Sequence, residues 1–404
     1  TRSLQNTLKR SDTVIERRAS TVIHNRLDIH SYGMAAALMK HSPHASSYGD
    51  NAGNAAHRLM QNATESSLLI ANRPTRISFL SSTSSFLTAC LGPQPSLILH
   101  GPSTPDDDEA FRQLAHAKLP ADPNDMVPLA NQPVFVVPLI DGSVHVVMVD
   151  ENEKAIQLFH RIVTHEGGAE ATCVSSVENS ILVGGSDGKI VMIDAVSNES
   201  RVIAKSGAGI ECITTLGGGA VVASGNMSGT INLWDIRTPS STITPQYTVS
   251  PKVFGDSCTA LATHPAQTNI LGAGYESGSV SFIDARGSNR DQPPETRNTF
   301  GLASGPITKM AFHPILSDNL FASSIDGSLV HWDAAANSQA GLSTNTLVRL
   351  SPWLAPTLES SSVFNALLTD EFPSAVNSFS IKDDAIVAAC DNQQIRHVVG
   401  MTLV

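Results

Sequence analysis

The chain has 404 residues, of which 41% are hydrophobic, and its 26 Lys/Arg against 37 Asp/Glu give a formal net charge of −11. A general nucleic-acid binder needs a basic face to neutralise phosphates, so this charge argues against direct binding of nucleic acid. No stretch approaches the roughly 18–20 uninterrupted apolar residues of a membrane helix, so we expect no membrane insertion.

The N-terminal part differs in composition from the rest. Residues 1–70 hold eight Lys/Arg and five Asp/Glu, so the remainder holds 18 and 32. Thr13-Val-Ile-Glu16 fits a capping box, and apolar residues follow from Ile15 to Leu27 at helical spacing. Little pattern follows them. The sequence therefore predicts an extension over residues 1–66 that is mostly disordered, with one weak amphipathic helix.

From residue 67 onward, short apolar runs alternate with Ser, Gly and Pro. Runs at 77–80, 86–90 and 97–100 predict the strands of a first, degenerate repeat. The run from Phe135 to Ile140 leads through Asp141-Gly142 into a second apolar run, which predicts a β-hairpin.

Four later segments share one pattern: a small polar residue, Gly, alternating apolar positions and a closing Asp. They are residues 187–194, 228–235, 277–284 and 326–333. The Asp/Ser-Gly pair supplies the positive-φ corner of a tight hairpin, and the alternating apolar side chains fill one face of the next strand. Trp234 and Trp332 precede their closing Asp, and we expect both to pack in the core against a neighbouring repeat.

The spacing of these hairpins predicts a propeller. Gly229, Gly278 and Gly327 lie 49 residues apart, and Gly188 precedes Gly229 by 41. One hairpin every 40–50 residues is typical of four-stranded blades. Residues 385–398 form a last hairpin without the Gly, and we expect residues 67–71 to pair with it and close the ring. The sequence thus predicts an all-β, seven-bladed WD-repeat β-propeller over residues 67–404, with six or eight blades as the alternatives. Its structural turn residues are Asp141, Asp187, Gly188, Gly229, Gly278, Asp326 and Gly327.

The sequence motifs that could suggest catalysis or metal binding are explained by the hairpin pattern. Gly184-Gly-Ser186-Asp-Gly188 matches G-x-S-x-G, but a hydrolase elbow requires a strand turning into a helix. His264 and His313 each precede Pro in equivalent turns, which predicts hydrogen-bonded turn histidines rather than metal ligands. The five cysteines include no CxxC, which argues against a zinc site and a disulfide framework. We therefore expect no enzyme, no metal and no cofactor.

One surface motif has two interpretations. Arg237 and Arg286 each follow the closing Asp by two residues in consecutive repeats. This resembles the WDxR motif by which propeller substrate receptors dock on adaptors of cullin-type ubiquitin ligases, so both arginines are candidate partner contacts. Alternatively each Arg pairs with a carboxylate at the end of its strand, a common surface arrangement of little energetic weight. We favour the second interpretation.

The C-terminal third carries a more specific resemblance. Residues 313–333 are followed by a Ser/Asn-rich insertion, by Ser351-Pro-Trp-Leu354 and, after a spacer, by Val376-Asn-Ser-Phe379 and the last hairpin. This order resembles the smaller WD-repeat nucleoporins of the Y-shaped, outer-ring complex of the nuclear pore.

That resemblance implies a non-catalytic scaffold subunit that binds other nucleoporins of the complex, through an α-solenoid subunit of its short arm. It implies nuclear-pore localisation in the nuclear envelope, roles in mRNA and protein transport, presence at kinetochores in dividing animal cells, and no required homo-oligomer. The alternative function is a substrate receptor of a cullin-type ubiquitin ligase.

Overall fold

The computed structural model describes residues 63–403 apart from 82, 104–109, 130–131, 153, 178–179, 238–243, 252, 287–293, 295, 335–350, 355–362 and 369–372. The expected disorder and helix of the N-terminal extension lie outside these residues, apart from positions 63–66. In the described part, 28 strands form seven four-stranded antiparallel sheets. Helical structure there is limited to two 3-10 turns, Gly217–Gly219 and Pro352–Leu354, neither of which could span a membrane. The predicted seven-bladed WD-repeat β-propeller is confirmed.

The strands follow the chain from blade to blade. β1 (Thr64–Leu69) comes first and belongs to the last blade. Blade 1 consists of β2 (Arg73–Phe79), β3 (Phe86–Leu91), β4 (Ser96–Pro102) and β5 (Phe111–Lys118). Blade 2 consists of β6 (Val127–Pro128), β7 (Val134–Pro138), β8 (Ser143–Asp150) and β9 (Ala155–Val163). Blade 3 consists of β10 (Ala171–Val177), β11 (Ser180–Gly185), β12 (Lys189–Asp194) and β13 (Ser200–Lys205).

The second half continues in the same order. Blade 4 consists of β14 (Ile210–Leu216), β15 (Val221–Asn226), β16 (Ile231–Asp235) and β17 (Tyr247–Val249). Blade 5 consists of β18 (Cys258–Thr263), β19 (Ile270–Tyr275), β20 (Ser279–Asp284) and β21 (Thr296–Gly301). Blade 6 consists of β22 (Ile307–Phe312), β23 (Asn319–Ser324), β24 (Leu329–Asp333) and β25 (Val363–Ala366). Blade 7 consists of β26 (Val376–Lys382), β27 (Ala385–Cys390), β28 (Gln394–Val399) and β1.

The ring closes by pairing the first strand of the chain with the last. β1 runs antiparallel to β28, with Thr64 opposite Val399 and Leu69 opposite Gln394. The expected pairing of the 67–71 run with the last blade is confirmed for its first three residues. The strand starts earlier than expected, at Thr64, so residues 64–66 belong to the ring rather than to the extension. The sequence pattern did not indicate this start, because β1 is the outermost strand of its blade. The strand is largely exposed, so its residues can be polar.

The hairpins between the second and third strands share one geometry. Gly142, Gly188, Gly229, Gly278 and Gly327 have φ between 76° and 90°. A Cβ added at any of them would lie 2.1–2.8 Å from atoms of the loop that leaves the same blade. Only glycine satisfies both conditions without strain. In blade 7 the equivalent residue, Gln393, has φ 63° and donates through its amide to Ala71 O.

Aromatic side chains fill the space between blades. Trp234 is 1% exposed, packs within a core cluster of blades 3 and 4, and donates from its indole N–H to Ser224 Oγ (2.9 Å). Trp332, equally buried, lies within the cluster of blades 5 and 6. Both side chains therefore lie in a core that two blades share.

Candidate interaction surfaces of the ring

The antiparallel blades give the ring two different faces. The hairpins between second and third strands lie at one end of the blades, together with the loops from each blade to the next; we call this end the hairpin face. The turns between first and second strands and between third and fourth strands lie at the other end. Arg237 and Arg286 follow the third strands of blades 4 and 5 there, so we call it the arginine face.

On the hairpin face, aspartates stiffen the turns and tie them to neighbouring segments. Asp141 accepts from Ser143 N and Oγ and pairs with Arg161 (3.1 Å). Asp187 accepts hydrogen bonds from Lys189 N and from His165 Nδ1 (3.0 Å). His165 belongs to the loop that enters blade 3, the blade of Asp187.

Asp326 plays the same part in blade 6. It accepts from Ser328 in its own turn and from Ser304 N (2.7 Å) and Oγ (2.9 Å) in the entering loop. Burial alone would raise the pKa of Asp326, but the hydrogen bonds from Ser328 and Ser304 outweigh it and the pKa is lowered. The carboxylate is thus held charged, and the loop between blades is fixed.

On the arginine face, Arg237 and Arg286 both pair with the closing aspartate of their own strand. Arg237 donates Nε and a terminal nitrogen to Asp235 (2.9 and 2.6 Å), and Arg286 makes the same pair with Asp284 (3.0 and 2.8 Å). The Arg237 contact holds the pKa of Asp235 at about 2. Both arginine side chains remain 70% exposed. Pairing with a nearby carboxylate is therefore the observed arrangement.

The two turn histidines also lie on the arginine face. His264 Nδ1 accepts from Ala266 N and Gln267 N, and His313 Nδ1 accepts from the corresponding backbone N–H groups two and three residues ahead. Both rings are buried. The prediction of hydrogen-bonded turn histidines is confirmed.

Polar contacts link every pair of adjacent blades at the centre of the ring. Between blades 1 and 2 the link is an ion pair from Arg76 Nε to Asp125 Oδ1 (3.3 Å). At the other six junctions a side chain at the start of one blade donates to a backbone carbonyl at the start of the next. The donors are Asn124 (to Ala171, 3.0 Å), Thr172 (to Ile210, 2.5 Å), Cys212 (to Cys258, 3.2 Å), Thr259 (to Ile307, 2.7 Å), Thr308 (to Val376, 2.6 Å) and Asn377 (to Pro74, 2.9 Å).

Two charged side chains, those of Asp125 and Lys309, lie inside this belt of contacts. Asp125 also accepts from Met126 N and Val174 N, so its carboxylate touches three blades. Lys309 extends from blade 6 over the ring of Phe379, with its ammonium 5.7 Å from the ring centroid. Burial lowers the pKa of Lys309 to about 8, against the opposing effect of Asp125. The lysine therefore stays mainly charged at neutral pH.

The thiols and the serine of the G-x-S-x-G match have structural surroundings. All five thiols are buried, and burial raises the pKa of Cys90 to about 12 and those of Cys173 and Cys212 well above the usual value of a thiol. Ser186, the central residue of the G-x-S-x-G match, uses its hydroxyl to accept from Glu170 N. Among the residues that the structure describes, no three His, Cys, Asp or Glu side chains are grouped to hold a metal ion.

Sequence comparison finds partial similarity to a nucleoporin. The chain is 26% identical over 174 residues to human nucleoporin Nup43, covering 42% of this chain and 43% of the relative. It is 27% identical over 113 residues to mouse Nup43, covering 28% of each. The matched stretch spans less than half the length of these curated relatives. No model of a known protein family matches the chain.

Structural comparison supports the fold alone. A chain in the solved structure titled "Crystal Structure of Mitotic Checkpoint Complex" superposes with a TM-score of 0.60 at 15% identity, covering 83% of this chain and 94% of that one. This chain is a seven-bladed β-propeller. Over part of its length it is similar to Nup43.

Sequence reasoning missed the structural role of Trp353. The residue lies in the short segment 351–354 between β24 and β25, and it is fully buried. Its ring contacts Phe282, Phe312 and Trp332 at centroid distances of 5.0, 5.2 and 5.6 Å. A lone Trp after Ser-Pro in a long connection was the available signal, because a large aromatic residue in a polar stretch usually anchors it to a core.

Proposed function

We propose that this chain is a non-catalytic scaffold subunit of the Y-shaped, outer-ring complex of the nuclear pore, supporting transport of mRNA and protein. The observation that carries the proposal is the similarity to Nup43 of two mammals in a chain that folds as a propeller. The partners would be other nucleoporins of that complex, including an α-solenoid subunit of its short arm. In dividing animal cells the same subunit would also act at kinetochores.

The geometry of the ring supports a role in assembly. Polar contacts link all seven blade junctions, and loops on the hairpin face are hydrogen-bonded to the turns they pass. Such a ring presents preformed surfaces, so a partner binds without a large cost in chain ordering. The buried thiols with raised pKa values support a non-catalytic role.

A second candidate function rests on the paired arginines. Arg237 and Arg286 occupy equivalent, exposed positions in adjacent blades, which is the arrangement expected of a receptor for a cullin-ligase adaptor. Both guanidinium groups already bind a carboxylate, so an adaptor would have to compete with Asp235 and Asp284. We therefore favour the pore function.

One experiment distinguishes the two proposed functions. Tagged wild-type chain, the double variant Arg237→Ala/Arg286→Ala, and a chain lacking residues 1–62 are compared for nuclear-rim localisation and for co-purified proteins. The deletion ends at residue 62 because β1 begins at Thr64. The double variant Arg161→Ala/Lys189→Ala is the matched control, since it removes two cations that also pair with aspartates.

The pore function predicts that all four chains reach the rim and retain outer-ring subunits. Loss of a ligase adaptor in the Arg237/Arg286 variant alone, from a wild-type chain that never reaches the rim, would contradict it. In that case the loss of buried charged contacts at an interface would account for the result, since losing each one typically costs about 2–5 kcal/mol.

A further inference from the structure

Two thiols meet where blades 4 and 5 adjoin at the centre of the ring. Cys212 lies near the start of β14, and Cys258 begins β18, 46 residues later. Their sulfur atoms are 3.8 Å apart, and Cys212 Sγ donates to Cys258 O (3.2 Å), which holds it against the neighbouring blade. Both side chains are buried and both thiols are free. The fold thus brings together two cysteines that are distant in the sequence.

Gly225, on the second strand of blade 4, leaves room for this contact. A Cβ added there would lie 2.5 Å from Cys258 Sγ and 2.7 Å from Cys212 Sγ, closer than a real Cβ approaches. Any other residue at this position would therefore displace the two sulfur atoms. A disulfide bond is about 2.0 Å long, so the sulfurs need to approach by roughly 1.8 Å, which is within reach of rotation about the two Cα–Cβ bonds.

Blade 3 contains the same arrangement with one thiol. Cys173 lies opposite Gly184 as Cys212 lies opposite Gly225. A Cβ added to Gly184 would lie 2.7 Å from Cys173 Sγ and 2.8 Å from Ile210 Cγ2. Cys173 therefore occupies the position of Cys212 one blade earlier, but it faces an isoleucine where Cys212 faces a second thiol. The chain thus contains its own matched control.

The thiol of Cys212 is the one that a small oxidant reaches first. In blades 1 and 6 the equivalent residues, Arg76 and Lys309, are partly exposed, so this position faces the open centre of the ring. Cys212 is 7% exposed and Cys258 is 0% exposed. Oxidation therefore begins at Cys212, and Cys258 is the thiol placed to react with the oxidised sulfur.

Burial favours a neutral product at this site. It raises the pKa of the Cys212 thiol well above its usual range, which disfavours the thiolate that a bound metal ion would require. A disulfide carries no charge, so burial does not oppose it. It would also tie β14 to β18 by a covalent bond where two blades now meet through non-covalent contacts.

We propose that hydrogen peroxide oxidises Cys212 and Cys258 to a disulfide that joins blade 4 to blade 5. Cys212 Sγ gives up its proton and attacks one peroxide oxygen, the O–O bond breaks, and a sulfenic acid and one water are formed. Cys258 Sγ then attacks the sulfenic sulfur, so that the S–S bond forms and the S–O bond breaks. The departing hydroxide takes the proton of Cys258 and leaves as a second water. Two thiols thus lose two electrons, and one peroxide is reduced to two waters.

Peptide mapping of the purified full-length chain tests the proposal. The folded chain is treated with hydrogen peroxide, the remaining thiols are blocked with N-ethylmaleimide, and the chain is digested with trypsin without reduction. Cleavage after Lys and Arg places Cys212 in the peptide 206–237, Cys258 in 253–286 and Cys173 in 162–188. We expect mass spectrometry to find 206–237 linked to 253–286 as the main disulfide, and dithiothreitol to separate the two peptides.

The melting temperature provides a second measurement. Oxidation should raise it by about 3 °C or more, because the new bond restricts the unfolded chain, and reduction should reverse the rise. Cys212→Ser and Cys258→Ser should lose both the linked peptide and the rise, whereas Cys173→Ser should keep both. Cys258→Ala is compared with Cys258→Ser by circular dichroism, so that a variant that fails to fold is recognised before oxidation.

Several results would overturn the proposal. They are a folded chain that keeps both thiols free in peroxide, conversion of Cys212 to a sulfinic acid, a link from Cys212 to Cys173, and a link to Cys258 that forms only in denaturant. A linked chain that melts like the reduced one would also contradict it, since the bond would then not hold the two blades together. These measurements use the purified chain alone, so their outcome is independent of the proposed function.

Discussion

Replacing Trp332 by Ala tests whether aromatic packing holds blades 5 and 6 together. The side chain is 1% exposed and contacts the rings of Phe282, Phe300 and Trp353 at 5.3, 5.4 and 5.6 Å. An aromatic side chain buries about 150–250 Å², which at about 25 cal/mol per Å² corresponds to roughly 4–6 kcal/mol of transfer free energy. Alanine retains part of this transfer free energy, and partial collapse of the site around it recovers a further part. We therefore expect the free energy of unfolding to fall by about 3–5 kcal/mol.

Denaturant unfolding followed by far-UV circular dichroism measures this loss without relying on the fluorescence of the residue removed. Phe254→Ala is the matched control, since it truncates an exposed aromatic residue and should change the free energy of unfolding by less than about 0.5 kcal/mol. Trp332→Phe should fall between the two. A loss below about 1 kcal/mol in Trp332→Ala would show that blades 5 and 6 do not depend on this contact, and the assignment of Trp332 to the shared core would be wrong.

Three further predictions concern the ring. Deleting residues 381–404 removes β27 and β28 and exposes strand edges, so the truncated chain should aggregate, which size-exclusion chromatography detects. A monomeric product that melts like the wild type would refute closure of the ring by β1. Burial lowers the pKa of His331 to about 4, so the unfolded chain binds more protons between pH 6.5 and 4. Over that window His331 alone should lower the free energy of unfolding by up to about 1.4 kcal/mol per pH unit on acidification, and His331→Gln should make the fall less steep; an unchanged slope would contradict this. Arg237→Ala/Arg286→Ala should leave the melting temperature essentially unchanged, because both pairs are exposed; a marked drop would argue otherwise.

The blades could be predicted where backbone geometry leaves few choices. The positive φ at Gly188, Gly229, Gly278 and Gly327 demands glycine, so these positions recur visibly at blade spacing. Where another residue accepts that conformation, as Gln393 does in blade 7, the hairpin was found only through its flanking apolar runs.

Other features could not be predicted because they depend on contacts between distant residues. The belt at the ring centre uses Thr, Asn and Cys side chains that look ordinary in sequence and gain their role only when two blades meet. The same holds for the exposure of Phe254. An isolated Phe between Val and Gly suggests a buried residue, and only the turn at Gly255 and its attachment to the hairpins of blades 4 and 5 show that it is exposed.

Quantitative capture tests whether this propeller is a scaffold subunit of the nuclear pore. The tagged full-length chain is expressed at low level, purified under mild conditions, and its partners are quantified by mass spectrometry alongside imaging of the nuclear rim. We expect rim localisation and recovery of outer-ring nucleoporins in near-equal amounts to the chain. A chain absent from the rim that recovers a cullin-ligase adaptor stoichiometrically, with nucleoporins at background level, would contradict it.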